Sequence, residues 1–129
     1  MDFIKEAYKV KAATVIKNLE KRQMEGYYCE TAEEAVNKVM SMIKQDDTVG
    51  WGGSTTIDQM GIKKLLEERK IAVYDRDKET DPKERVKMMK KALTADVFLT
   101  STNAITMEGE LLNIDGNGNR VAAYCYGPD

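Results

Sequence analysis

Apolar residues recur every three or four positions over residues 3–24, at Ile4, Tyr8, Ala12, Val15 or Ile16 and Leu19, while Lys and Glu fill the other faces. That spacing predicts a long amphipathic helix, with Gly26 as the stop signal after its last turn. Thr31-Ala32-Glu33-Glu34 is a capping box: the Thr31 hydroxyl covers a free amide while Glu34 reaches back. The second helix runs from there to about Gln45 and turns Ala32, Ala35 or Val36, Val39 and Ile43 inward. Together they make an N-terminal helical segment over residues 1–45.

After Asp46-Asp47 the period changes. Thr48-Val49-Gly50-Trp51 reads as a short buried strand, and Gly52-Gly53-Ser54-Thr55-Thr56 leads into a helix marked by Ile57, Met60, Leu65 and Leu66, interrupted at Gly61. Ile71–Tyr74 is the next strand, and Asp75–Asp81 is a polar connection. Pro82 opens a helix with Val86, Met89 and Leu93 on one face, and Ala95–Thr100 is a third strand. Strand and helix alternate, so a parallel sheet with right-handed crossovers is expected. The last third breaks this rhythm: Ala104–Thr106, Leu111–Ile114 and Val121–Cys125 read as short strands separated by turn residues, an antiparallel excursion. The predicted fold is thus three-layer α/β, a largely parallel sheet flanked by helices with a small antiparallel excursion.

Composition narrows what such a fold can do. The chain of 129 residues fits one domain, and 42% hydrophobic residues supply a core while 33% charged residues solvate the surface. There is no His, which excludes a Ser-His-Asp triad, a Cys-His pair and a His-ligated zinc site within the chain. Acid–base work would fall to Asp, Glu, Lys, Tyr or Cys. The net charge of −2 leaves no basic footprint, so no nucleic-acid partner is expected. No apolar run reaches the roughly 18 residues of a membrane span, and the N-terminus lacks a signal-peptide core. A cytoplasmic protein with no membrane partner is expected. Cys29 and Cys125 stand alone, with no CxxC, and read as small core residues or inert thiols.

Three stretches could carry chemistry. In Gly50-Trp51-Gly52-Gly53-Ser54-Thr55-Thr56 a strand enters a glycine-rich turn and then a helix, where free amides and the hydroxyls of Ser54, Thr55 and Thr56 suit an anion. It is neither a Walker A loop nor a GxGxxG fingerprint, and a plain strand-to-helix turn with a Ser or Thr cap accounts for it equally. Trp51 is either a core anchor or a stacking platform. Thr100–Thr106, with Thr102 and Asn103, lies at the carboxyl end of a strand, where open α/β sheets keep ligands; local backbone capping is the alternative. Glu108-Gly109-Glu110 and Asp115 supply carboxylates for a general base or nucleophile, Glu108 and Asp115 being the candidates. No metal ligand set is read. Asp115–Asn119 begins like a calcium loop, but Arg120 stands where the loop needs Gly and Tyr126 where it needs an acid.

Gly50-Trp51-Gly52-Gly53-Ser54, Ser101–Thr106, Glu108-Gly109-Glu110-Leu111 and Asn113–Ala122 together resemble the lactate-utilisation (LUD) domain family, along the whole chain and in order. The family belongs to the fold group of ribose-5-phosphate isomerase, glucosamine-6-phosphate deaminase and coenzyme A transferases. The resemblance implies a role in lactate or organic-acid utilisation and a small anionic, phosphate- or carboxylate-bearing metabolite as ligand. Gly50, Gly52, Gly53, Ser54, Thr55 and Thr56 occupy the place of the isomerases' sugar-phosphate loop. Glu108-Gly109 is similar to the transferases' nucleophilic glutamate beside a glycine, without the surrounding pattern of those enzymes. A sugar-phosphate isomerase or coenzyme A transferase-like enzyme is therefore the second expectation. A structural subunit among the partner subunits of a lactate-oxidation complex is the third. Members of this branch look longer, so the single domain over 1–129 is expected to lack its final strands, with Gly127-Pro128-Asp129 as a turn into a further element. That leaves Val121–Tyr126 as an exposed edge strand, and a homo-oligomer is expected from it. No cofactor is assigned.

Overall fold

The computed structural model describes residues 2–128, so Asp129 of the C-terminal turn lies outside the described residues. The chain forms two compact units. One takes the N-terminal stretch through Lys38 together with Thr102–Asn113; the other takes Val39–Ser101 and the chain from Ile114 onward.

The second unit carries the parallel sheet. Strands β1 (Thr48–Trp51), β2 (Ala72–Tyr74) and β3 (Val97–Leu99) lie in the order β2-β1-β3, both pairings parallel. Val49 faces Val73 on one side and Val97 on the other; Gly50 faces Tyr74 and Phe98. Flanked on both edges, β1 is fully paired, and Val49 and Trp51 are buried. Parallel strands need crossovers, and these are helical. Helices α3 (Thr55–Met60) and α4 (Ile62–Glu68) link β1 to β2, and α5 (Pro82–Ala92) links β2 to β3. The expected interruption at Gly61 is present: its φ of 71° is left-handed, ending α3 and starting α4. Ile62 and Leu66 of α4 are completely buried, and Ile57, Ile71, Ala92 and Ala95 are buried as well. Of the expected helix faces Ile57 and Leu66 are in the core, whereas Val86 is exposed and Ile62 and Ala92 take core places instead.

In the first unit, α1 (Phe3–Lys21) matches the predicted first helix and buries none of its residues. Helix α2 (Ala32–Met42) starts at the predicted capping box: the Glu34 amide donates to Thr31 Oγ1 at 3.1 Å and the Glu34 carboxylate accepts from the Glu30 amide at 3.0 Å. The boundary between the units falls within this helix. Strands β4 (Ala104–Ile105) and β5 (Leu111–Leu112) form an antiparallel hairpin. Its Glu108-Gly109 turn lies on α1, where Asn18 Nδ2 donates to the Met107 carbonyl at 2.8 Å and Arg22 Nε to that of Glu108 at 3.2 Å. Gly109 has φ 82°, and a Cβ there would stand 2.9 Å from the Leu19 amide nitrogen. Glycine is the residue that fits both demands.

One expected strand is a helix. Val121–Cys125 belongs to α6 (Asn119–Tyr126) in the second unit. Two contacts outside the apolar run decide this. Asp115 Oδ2 accepts the Val121 amide at 2.8 Å, and Gly118, at φ 72°, turns the chain into the first helical turn. Paired alanines then favour a helix over a pleated strand. The antiparallel excursion thus has two strands, and the edge strand on which a homo-oligomer was expected does not exist.

The tightest approach in the sheet is Gly50 to α5: a Cβ on residue 50 would stand 2.7 Å from the Ala92 Cβ. Gly50→Ala is expected to lower stability by about 1–3 kcal/mol by overpacking. Adding Ala92→Gly should recover part of that loss through coupling of the two sites. Urea unfolding of the single and double variants measures both; equal stability of Gly50→Ala and wild type refutes the packing account.

Candidate functional site

The parallel register brings the carboxyl ends of β1 and β3 side by side, and the glycine-rich loop starts there. The Gly52 amide continues the ladder by donating to the Leu99 carbonyl at 3.1 Å. Beyond it the pairing stops. Gly53 is exposed, its amide has no backbone partner among the described residues, and Ser54 begins α3 by accepting the Ile57 amide at 3.2 Å. The Ser54 hydroxyl also pairs with that of Ser101, which follows β3, at 3.1 Å. Thr55 and Thr56 are exposed on the first turn of α3, and no hydrogen bond holds either hydroxyl among the described residues. The loop is thus built as the sequence predicts, and Ser101 joins it.

Asp115 belongs to the same unit, but its carboxylate is occupied. Oδ1 accepts from Arg120 Nε at 2.8 Å, with Nη2 also at 2.8 Å, and Oδ2 accepts the Val121 amide. The pair is nearly buried, and Arg120 Nη1 extends it to the Ser101 carbonyl at 2.8 Å. A continuous polar chain therefore runs Asp115–Arg120–Ser101–Ser54. It makes Asp115 a brace for the loop rather than a free carboxylate.

Thr102, Asn103 and Glu108 lie in the first unit. Thr102 Oγ1 stands 3.0 Å from the Leu112 carbonyl and 2.9 Å from Asn113 Oδ1, and the Asn103 amide donates to the same Leu112 carbonyl at 3.1 Å. These contacts close the end of the β4–β5 hairpin. Glu108 is exposed on the hairpin turn. Gly50, as described, is set by packing against α5.

Sequence reasoning missed the residues that flank Trp51 and Gly53. The Trp51 ring is 2% exposed, a core anchor and not a stacking platform, and its Nε1 donates to Asp77 Oδ2 at 3.2 Å. Asp77 lies in a 3₁₀ turn, Arg76–Lys78, and gathers cations: Lys63 at 2.9 Å and Arg85 at 3.4 Å, with Arg76 Nε further off at 3.7 Å. Burial opposes ionisation of Asp77, but the Lys63 ammonium, the Trp51 N–H and Arg76 outweigh it and hold the carboxyl below its ordinary range. Burial likewise opposes the charge on Lys63, and Asp58 and Asp77 more than offset it, so the ammonium titrates above the usual lysine range. A cleft of about 410 Å³ beside Trp51 is walled by Lys63, Lys64, Lys70 and Lys78, with Glu67 and Asp75 among them.

Arg76 is the unusual member. Its side chain is 13% exposed and its Nε is buried with no hydrogen-bond partner among the described residues. Its Nη2 lies 2.6 Å from where a Cβ on Gly53 would stand, so the guanidinium rests directly against the glycine loop. No local pattern in the polar Asp75–Asp81 connection foretold that placement. Among the described residues no cluster of acids or thiols is arranged to hold a metal ion, and no helix is long and apolar enough to cross a membrane.

A parallel sheet whose central strand opens into a glycine-serine loop is the architecture of α/β proteins that keep their ligands at strand ends. The model of the LUD domain family matches residues 12–129, and the chain belongs to that family. It is accordingly a lactate-utilisation-associated protein. No curated protein and no solved structure matches the chain.

The Asp77 cluster makes a testable statement about acid stability. A carboxyl held below its ordinary value stabilises the fold above pH about 4 and loses that contribution as pH falls through the lowered value. Asp77→Asn should therefore flatten the acid limb of the stability profile, with a loss at neutral pH of about 0.5–1 kcal/mol because the carboxylate is part-exposed. Asp77→Ala also strips Trp51 of its acceptor and should cost about 1–3 kcal/mol. Trp51 is the sole tryptophan, so its fluorescence during urea unfolding from pH 2 to 7 reads both variants directly. An unchanged acid limb in Asp77→Asn speaks against the cluster.

Proposed function

We propose that this LUD domain protein binds a small anionic metabolite, carboxylate- or phosphate-bearing, at the Gly52-Gly53-Ser54 loop in the service of lactate or related organic-acid utilisation. The observation that carries this reading is the loop itself: pairing ends at Gly52, leaving the Gly53 amide without a backbone partner beside the linked hydroxyls of Ser54 and Ser101. An unpaired N–H with hydroxyls beside it at a strand end offers the kind of donors an oxyanion needs. The hydroxyls of Thr55 and Thr56 stand next in the chain and extend the same donor surface.

Asp115 and Arg120 enter as positioning residues. Their ion pair fixes the Ser101 carbonyl, and Ser101 fixes the Ser54 hydroxyl. Both Asp115 oxygens are engaged, so binding is favoured over base or nucleophile chemistry at this carboxylate.

Calorimetric titration with inorganic phosphate, a sugar phosphate, lactate and coenzyme A tests the reading. At least one should bind at millimolar concentration or below. The double variant Ser54→Ala with Thr55→Ala should weaken that ligand about tenfold or more, the scale of lost hydrogen bonds to a charged group. Absence of binding by all four, or unchanged affinity in the double variant, contradicts it.

A further inference from the structure

The guanidinium of Arg76, with its Nε sealed and its terminal nitrogens without a hydrogen bond among the described residues, has no partner that the protein supplies. A guanidinium carries five N–H donors in a planar fork, and taking such a group out of water without hydrogen-bond partners is costly. Arg76 is 13% exposed, its Nε is sealed from solvent and unpartnered, and no hydrogen bond to its terminal nitrogens exists among the described residues. Asp77 does not meet the need. It stands 3.7 Å from Nε, beyond hydrogen-bond reach, and its oxygens already accept from Trp51, Lys63 and Arg85.

The position of the guanidinium shows where such a partner would come from. Nη2 occupies the space a side chain on residue 53 would claim, 2.6 Å from the Cβ position, so the cation is seated against the exposed Gly53 backbone. The donors of Arg76 and those of the loop are then neighbours. A carboxylate or phosphate presents two acceptor oxygens on one edge, the pattern that a guanidinium fork matches in paired, charge-assisted hydrogen bonds.

We propose that Arg76 is the cation of the binding site, gripping the oxyanion of the ligand against Gly53. This rests on the loop-binding reading above and adds to it the residue that supplies charge. Gly53 serves as the gauge: its missing side chain is the space that lets the guanidinium reach the loop. Binding at this pair of residues selects ligands with a terminal carboxylate or phosphate over neutral hydroxylated ones.

The test titrates inorganic phosphate and lactate into the wild-type chain and three variants, by calorimetry and by ¹⁵N NMR of the arginine Nε–H signals. Wild type should bind one or both, and the tighter of the two shows whether phosphate or carboxylate is the better fit. The Nε–H signal of Arg76 should shift in step with occupancy, more than those of Arg22, Arg69, Arg85 and Arg120. Arg76→Gln should lose at least tenfold in affinity, and Arg76→Lys should retain part of it. Gly53→Ala leaves Arg76 in the chain but displaces the flexible end of its side chain, so it should lose affinity while its unfolding midpoint stays near that of wild type. Equal affinity of wild type and Arg76→Gln overturns the role of Arg76, even where Ser54→Ala with Thr55→Ala still weakens binding and the loop reading stands. Full affinity in a folded Gly53→Ala variant overturns it too. Failure of wild type to bind either anion removes this inference, and with sugar phosphate and coenzyme A also failing, the loop reading falls as well.

Discussion

The second unit is organised by the pairing of β1 on both edges. A strand hydrogen-bonded to two parallel neighbours has no free backbone groups to offer water, and its side chains must be apolar or individually satisfied. Each residue of β1 reflects that demand. Val49 is fully buried, Gly50 is small because α5 crosses at Ala92, and Trp51 needs Asp77 to receive its one N–H. Thr48 at the entrance exchanges hydrogen bonds with Asp96, whose Oδ2 accepts the Thr48 amide at 2.8 Å. The glycine loop is the place where this double pairing ends. Its unpaired donors are a direct consequence of the sheet stopping after Gly52.

Charge in the unit follows the same logic of satisfaction. The buried ion pair of Asp115 and Arg120 is closed by further hydrogen bonds to the Val121 amide and the Ser101 and Ile114 carbonyls. Asp77 is closed by Lys63, Arg85 and Trp51. Arg76 departs from the pattern, since a cation nearly as buried as Arg120 has only a loose ion pair for company. Among the described residues Arg76 Nε is the buried side-chain polar atom left without a partner, and an unsatisfied cation beside an open loop points to chemistry the chain alone does not complete.

Much of this was legible in residue spacing. Helix α1, the Thr31–Glu34 capping box, the break at Gly61 and the three parallel strands all follow from local patterns, and the structure carries each of them, although α1 buries none of its residues. What local patterns could not reach depended on distant contacts. Val121–Cys125 looks like a strand because it is a short apolar run; Asp115, several residues earlier, caps it into a helix. Thr102 and Asn103 look like ligand donors, and in the structure they close a hairpin by bonding to Leu112. Arg76 lies in a polar connection with no periodicity, and its placement against Gly53 is a product of the crossover from β2 to α5. The strand-to-helix turn at Gly52-Gly53-Ser54 was readable; the cation beside it was not.

The central claim is that the end of β1 and the Arg76 guanidinium together form an oxyanion site. A crystal structure grown with inorganic phosphate or lactate tests it most directly. The account predicts density for the anion within hydrogen-bond distance of both the Gly53 backbone and the Arg76 guanidinium, with the side chain of Arg76 in the place described. An anion bound elsewhere on the molecule, or an Arg76 whose donors are taken by protein groups with the loop left bare, would contradict it.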